Sequence, residues 1–259
     1  MRMVLASTDD PAPQHIILGV PVLALPWDEA IEHLHGLIDK QSFTLITWLN
    51  AHNSNLAREN ARFRQALDQF LVLPDGIGVD IAARLLHGEP FPDNLNGTDF
   101  TPALLRGHTN PLRIGLLGAR RSVVEKAAEN LKRNAPQHEY RVISDGFFNV
   151  SDEPRILQSL AEYHPHILLV AMGVPRQELF MHEKLTAQHC VLAFGVGALF
   201  DFRAGAVLRA PIWMQKSRLE WLYRFSQEPT RLWRRYVLGN PLFLLRVLRE
   251  LVMGEKAGQ

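Results

Sequence analysis

Seven short apolar runs rich in β-branched residues recur along this chain, and stretches with helical spacing alternate with them. The runs are IILGVPVLAL (16–25), FTLITWL (43–49), FLVLP (70–74), LRIGLLG (112–118), YRVIS (140–144), HILLVAM (166–172) and VLAFGV (191–196). Helical periodicity recurs near 27–39, 54–69, 77–87, 98–107, 121–134, 152–163 and 175–186. Such alternation lets strands pair in parallel while the helices between them cover the sheet. Runs 112–118, 166–172 and 191–196 are apolar nearly throughout, as strands covered on both faces are. The expected class is α/β, a mostly parallel sheet flanked by helices. Ser122 with Glu125 has capping-box spacing, and Ser151 precedes the acidic pair Asp152 and Glu153 at another helix start. Asp75-Gly76 and Asp145-Gly146 mark turns at strand ends.

The alternation stops near residue 203. Residues 204–259 read as an appendage of about three short helices, with Pro211, Pro229 and Pro241 at candidate helix starts. Residues 1–203 form the α/β body. Charge divides at nearly the same place: residues 201–259 hold 11 Lys/Arg against five acids, net +6, which leaves −5 for residues 1–200. A basic segment on an acidic body suggests a polyanionic partner. Cys190 is the only cysteine, so no internal disulfide forms, which suits a reducing compartment. The N-terminal MRMVLASTDDPAPQH lacks a signal-peptide core and reads as a frayed tail. No uncharged apolar run approaches the roughly 20 residues of a membrane helix.

In an open parallel sheet, ligands collect at the carboxyl ends of the strands. Asn50, His52 and Asn53 follow run 43–49; Asp75, Gly76 and Gly78 follow 70–74; Gly118, Ala119 and Arg120 follow 112–118. Gly173, Pro175, Arg176 and Gln177 follow 166–172, and Gly195 and Gly197 follow 191–196. Asp75, in LPDGIGV, has two readings. It is a general base for a hydroxyl proton, or a side chain capping the next helix. GLLGARRS offers helix amides with Arg120 or Arg121 to a phosphate, or is only a close strand-to-helix turn. It is not a full GxGxxG, which speaks against a nicotinamide-dependent oxidoreductase. Gln177 has a donor and an acceptor for a base or sugar, or merely begins a helix. His52 has no partner at catalytic or metal spacing and reads as a plain polar contact. No Cys/His cluster or DxD-like pair suggests a metal, and no cofactor is expected. In the basic segment, Arg224, Arg231 and Arg234 interleave with Trp221, Tyr223, Phe225 and Trp233. That pattern suits an anionic bilayer surface or a diphosphate. A nucleic-acid binder is the rival, and the acidic body speaks against a broad footprint on such a partner.

The segments LPDGIGVDIAARLLHG, NGTDFTPALL, GLLGARRSVVEKAAENL, DGFF (145–148), MGVPRQE, GVGALFDFRAG and RAPIWMQKSRLEWLYRFSQEPTRLWRRYVLGNP carry a resemblance. In order and spacing they resemble the WecG/TagA/CpsF family of bacterial glycosyltransferases, from about residue 16 to 245. The resemblance implies a Rossmann-like fold and metal-independent, inverting transfer from a UDP-sugar to a polyprenyl-diphosphate-linked saccharide. It implies an appendage at the anionic inner face of the bacterial plasma membrane, so a cytoplasmic, peripheral enzyme. Members that are dimers or trimers make a homo-oligomer part of the expectation, and nucleic acid is not an expected partner. Asp75 matches the family's proposed base, Asn50 an Asn beside it, Thr47 a nearby Thr, and Gln177 a Gln of the nucleotide-sugar pocket. Arg224, Arg231 and Arg234 match arginines proposed to bind diphosphate, and Gly118 lies in the phosphate-side turn. Two positions depart: His52 replaces an acid, and Asn94 replaces an Arg. The lost charge at Asn94 points to a neutral hexose donor such as UDP-glucose, and a nearer resemblance to exopolysaccharide members implies exopolysaccharide or cell-surface polysaccharide synthesis. UDP-N-acetylmannosamine and a UDP-uronic acid are the alternatives within the family.

Overall fold

The structure, a computed structural model, describes residues 12–211, 213–214 and 220–257. Residues 1–11 of the tail expected to fray, and Lys216 and Arg218 of the basic segment, lie outside the described residues.

The chain opens with an antiparallel hairpin, β1 (Gln14–Ile17) and β2 (Val20–Leu23). The sequence reading made one strand of 16–25. Leu18 and Gly19 break it, with φ of 49° and 82°, the left-handed pair that a tight two-residue hairpin turn requires. Six further strands follow: β3 (Thr44–Leu49), β4 (Phe70–Pro74), β5 (Arg113–Gly118), β6 (Glu139–Ser144), β7 (Ile167–Ala171) and β8 (Leu192–Gly195). They form one sheet in the order β4-β3-β8-β7-β5-β6, and every pairing is parallel.

Helices α1 (Trp27–Asp39), α2 (Ala51–Glu59), α3 (Ala61–Leu67), α4 (Ile77–His87) and α5 (Gly97–Gly107) surround the first strands. Then come α6 (Arg121–Asn134), α7 (Glu153–Tyr163), α8 (Arg176–Lys184) and α9 (Leu199–Arg203). The helix expected over 54–69 is two helices, because the Asn60 side chain accepts from the Phe63 amide and starts α3 afresh. Arg120 occupies the cap position of α6, so Ser122 sits inside the first turn and does not cap. Asn149, not Ser151, caps the turn before α7, with Asp152 reciprocating.

Successive strand residues face opposite sides of the sheet and fill two cores. Leu45, Leu49, Leu168 and Val170 belong to one; Ile46, Trp48, Ile167 and Leu169 belong to the other. This burial on both sides explains why these strands read as continuous apolar runs.

The basic segment comprises α10 (Glu220–Gln227), α11 (Pro229–Trp233), a π-helical turn (Arg234–Leu238) and α12 (Gly239–Ala257) among the described residues. Pro229 opens α11, and Pro241 lies just beyond the π-helical turn, within a continuous helical run and not at a free helix start. The last helix is built into the body. Phe243 and Val247 are fully buried in the core that also holds Val79 and Ala82 of α4. Arg246 donates to the Asn55 carbonyl and side-chain oxygens at 3.1 and 2.9 Å and to Glu59 at 2.9 Å.

Candidate active site

Strands β3 and β8 are first and last of the sheet in sequence, yet they lie side by side, which brings the loops after both together at one edge of the sheet, where ligands collect in such folds. Asp75 is the first residue beyond β4, and its amide donates to the Leu49 carbonyl at 2.9 Å, extending the pairing with β3. Gly76 then turns the chain with φ of 90°, a conformation that glycine adopts without a Cβ penalty. Its amide donates to Asn94 Oδ1 at 2.8 Å. Gly76 occupies the cap position of α4, with no side chain capping the helix, so the capping reading of Asp75 fails. Asp75 Oδ2 instead accepts from Asn50 Nδ2 at 3.3 Å. The same Asn50 caps α2, accepting from the Asn53 amide at 3.1 Å. One asparagine thus starts a helix and holds a carboxylate.

Burial raises the Asp75 pKa above the ordinary carboxylate range. The Asn50 hydrogen bond, Arg235 and Arg224 pull it back, while Glu220 pushes it further up. Arg235 is itself desolvated, which lowers its pKa, while Tyr236 and Asp75 favour its charged form. His52 lies within reach of Arg235; burial and that charge push its pKa down to about 4, so the ring is neutral at pH 7. Arg224 stands 5.1 Å from the Phe202 ring, and its Nε is buried without a hydrogen-bond partner among the described residues. A second carboxyl, Asp201, is also raised by burial and feels Arg231, Arg224 and Arg120. Arginines 120, 224, 231 and 235 therefore converge on two acids, although Arg231 also pairs with Glu228. Arg234 does not join the charges acting on Asp75; it is exposed, over the Trp233 ring at 5.5 Å. The π-helical turn that begins at Arg234 changes the helix phase there, and Arg235 takes the inward position.

Beneath this cluster lies a buried polar floor. Thr47 Oγ1 and Gln177 Nε2 both donate to Glu178 Oε1, at 2.8 and 2.9 Å. Gln177 Oε1 accepts from the Gly197 amide at 3.3 Å. Thr47 and Gln177 are each 1% exposed and Glu178 is 0% exposed, so these three lie under the site surface. Burial pushes the Glu178 carboxyl up to about 7. Gly195 makes room for them: a Cβ there would stand 2.8 Å from Gln177 Nε2 and 3.0 Å from Met181 Cε. Sequence reasoning found Thr47 and Gln177 but passed over Glu178, which looks like an ordinary acid in the first turn of a helix.

Gly118 is required first by chain packing. A Cβ at Gly118 would lie 2.2 Å from the Ala171 carbonyl oxygen, and the Ala119 amide donates to that oxygen at 2.8 Å. The glycine lets the ends of β5 and β7 close together. Of the two adjacent arginines, Arg121 pairs with Glu125 on the surface, whereas Arg120 acts on Asp201.

Residues 15–257 match the glycosyl transferase family described as WecG/TagA/CpsF. An N-acetylglucosaminyldiphosphoundecaprenol N-acetyl-beta-D-mannosaminyltransferase of Bacillus spizizenii is 33% identical, over 85% of this chain and 84% of its own. The enzyme of the same name from Bacillus subtilis is 31% identical over 82% of each chain. A third, from Staphylococcus aureus, is 26% identical over 90% of this chain and 91% of its own.

Proposed function

Since this chain belongs to the WecG/TagA/CpsF family and is a glycosyltransferase, we propose that it moves an N-acetylmannosaminyl group from a UDP-linked donor to a sugar on a polyprenyl diphosphate. The relatives' names favour an N-acetylmannosaminyl donor over the UDP-glucose expected from Asn94, and none of them supports an exopolysaccharide product. Each names an N-acetylmannosaminyl group and an N-acetylglucosaminyl-diphospholipid acceptor. The neutral Asn94 is a poor guide to the donor because its side chain is engaged by the Gly76 amide.

Asp75 takes the proton of the acceptor hydroxyl. That oxygen bonds to the anomeric carbon, the bond from that carbon to UDP breaks, and UDP leaves with the electron pair, inverting the centre. Burial strengthens Asp75 as a base, while Asn50 and the arginines oppose the rise and favour its charged form. Arg224, Arg231 and Arg120 meet the charge that grows on the departing diphosphate. The observation that carries the reading is a half-buried carboxyl at a strand end, held by Asn50 and acted on by arginines from a distant part of the chain.

The acceptor's lipid calls for a membrane-facing surface. Leu245, Leu248, Val252 and Met253 of α12 are exposed, as is the stripe Ile77, Ile81 and Leu85 on α4, against which α12 packs. Contiguous apolar surface beside basic residues supports peripheral seating at the anionic inner face of the membrane. No helix among the described residues is long and apolar enough to cross one.

The test is transfer by purified protein to a synthetic polyprenyl-diphosphate N-acetylglucosamine from a panel of UDP-sugars. UDP-N-acetylmannosamine is the expected donor, and Asp75→Asn should lose turnover by about 10²–10⁴ with unchanged melting. Transfer from UDP-glucose alone would overturn the donor assignment. Near-normal turnover by the variant would overturn the base.

A further inference from the structure

Arg209 lies where the α/β body passes into the basic helices. Its guanidinium grips two carboxylates at once. Nη1 and Nη2 donate to Asp99 Oδ1 and Oδ2 at 2.6 and 3.1 Å, and Nε and Nη2 donate to Glu220 Oε1 and Oε2 at 2.9 and 3.2 Å. Asp99 belongs to the first turn of α5, in the body, and Glu220 is the first residue of α10. The Phe202 ring stands 5.8 Å from the Arg209 guanidinium and 5.1 Å from that of Arg224, so both arginines pack on one aromatic.

Isolated surface ion pairs contribute little. This group differs chiefly in geometry: both carboxylates are held through two oxygens, with the Arg209 and Glu220 side chains 25% and 27% exposed and that of Asp99 43% exposed. Paired forks of this kind fix orientation as well as distance. They also fix the helix that carries Arg224, and through it the packing of Trp221 and Phe225 on Tyr236, the neighbour of Arg235.

We propose that Arg209 is a positioning residue that clamps α10 to α5 and thereby holds Arg224 and Arg235 over Asp75. The inference deepens, and rests on, the reading of Asp75 as the base. Arg209 has no contact with the reacting atoms in this scheme. A lysine cannot replace it fully, because one ammonium lacks the fork that spans two carboxylates.

The experiment uses the full chain with Arg209→Gln, Arg209→Lys, Asp99→Asn and the Arg209→Gln/Asp99→Asn pair. Hydrogen–deuterium exchange in α10 and α11 should quicken by about tenfold in Arg209→Gln and Asp99→Asn, with β7 and β8 unchanged. Turnover should fall by about 10–100-fold, the cost of misplaced groups, with the donor KM within about threefold. The acid limb of kcat/KM should move to lower pH, because Asp75 loses the burial and Glu220 that raise its pKa, and burial, the largest influence, outweighs the simultaneous loss of Arg224 and Arg235, which lower it. The double variant should be no worse than either single one, and Arg209→Lys should fall between wild type and Arg209→Gln. Unchanged exchange in α10 with an unmoved pH limb would overturn the clamp, and so would loosening of sheet and helices together. Asp75→Asn separates the two ideas. If it keeps turnover while Arg209→Gln still loosens α10, the base assignment fails and the clamp stands.

Discussion

Asp75 and Glu178 are carboxyls near the carboxyl edge of the same sheet, the first partly and the second fully buried, and desolvation raises the pKa of each. Their partners come from different places. Glu178 is held by Thr47 and Gln177, both in the body. Asp75 has Asn50 from the body, but its charged neighbours Arg235, Arg224 and Glu220 all come from the basic segment. The contrast separates a floor set by folding of the sheet from a roof set by docking of helices. The proton affinity of Glu178 follows from packing alone, while that of Asp75 depends on whether α10 and the π-helical turn are in place.

The largest expected effect tests that contrast directly. Asp75→Asn should lower kcat by about 10³ in the transfer assay, whereas Glu178→Gln should cost less than about tenfold. Equal losses would erase the distinction between base and floor. Arg235→Ala should lower kcat/KM by about 10². It should also move the acid limb to higher pH, since Arg235 is one of the groups that holds the Asp75 pKa down. Arg234→Ala should leave that limb in place. A reversed result would return the inward role to Arg234.

Gly195→Ala probes the floor. The new methyl must displace Gln177 or Met181, so melting should drop by about 1–3 kcal/mol, roughly 2–4 °C per kcal/mol for a chain of this size. An unaltered melting temperature would mean that the floor yields easily.

Smaller effects come from linkage. The folded pKa of Glu178, about 7, lies above its ordinary value of 4.5. Its contribution to stability is therefore full below about pH 4.5 and is lost as pH rises through 7. Melting of Glu178→Gln should lack that decline. His35, His138, His166 and His189 behave oppositely, since burial lowers each below 6.5. Their contribution is present above 6.5 and is lost as pH falls below it. A modest acid destabilisation, clearest in the Glu178→Gln background, is the smallest expected signal, and thermal melts between pH 5 and pH 8 would measure it.

Much of the site was legible where local chemistry is distinctive. Asp75 and Asn50 each follow an apolar run directly, and the adjacent Gly76 signals the sharp turn that keeps Asp75 from capping α4. Glu178 was not legible, because in sequence it is only an acid beside Gln177, and its partner Thr47 is 131 residues away. Arg235 was missed because the resemblance points to its neighbour Arg234, where the chain enters a π-helical turn that no local spacing announces. The split at Leu18-Gly19 was missed because apolar residues flank the turn on both sides.

By itself the sequence determined the parallel α/β class, the positions of the strand-end turns, the basic character of the C-terminal segment and the family. These are written in periodicity, turn residues and motif order, all readable over a few residues or from the order of segments. Only the tertiary structure decided that β3 lies against β8, that Thr47 reaches Glu178, that Arg235 rather than Arg234 faces Asp75, and that Arg209 joins Asp99 to Glu220. Those pairings depend on strand order and helix phase, which arise from packing the whole chain and leave no mark in local spacing.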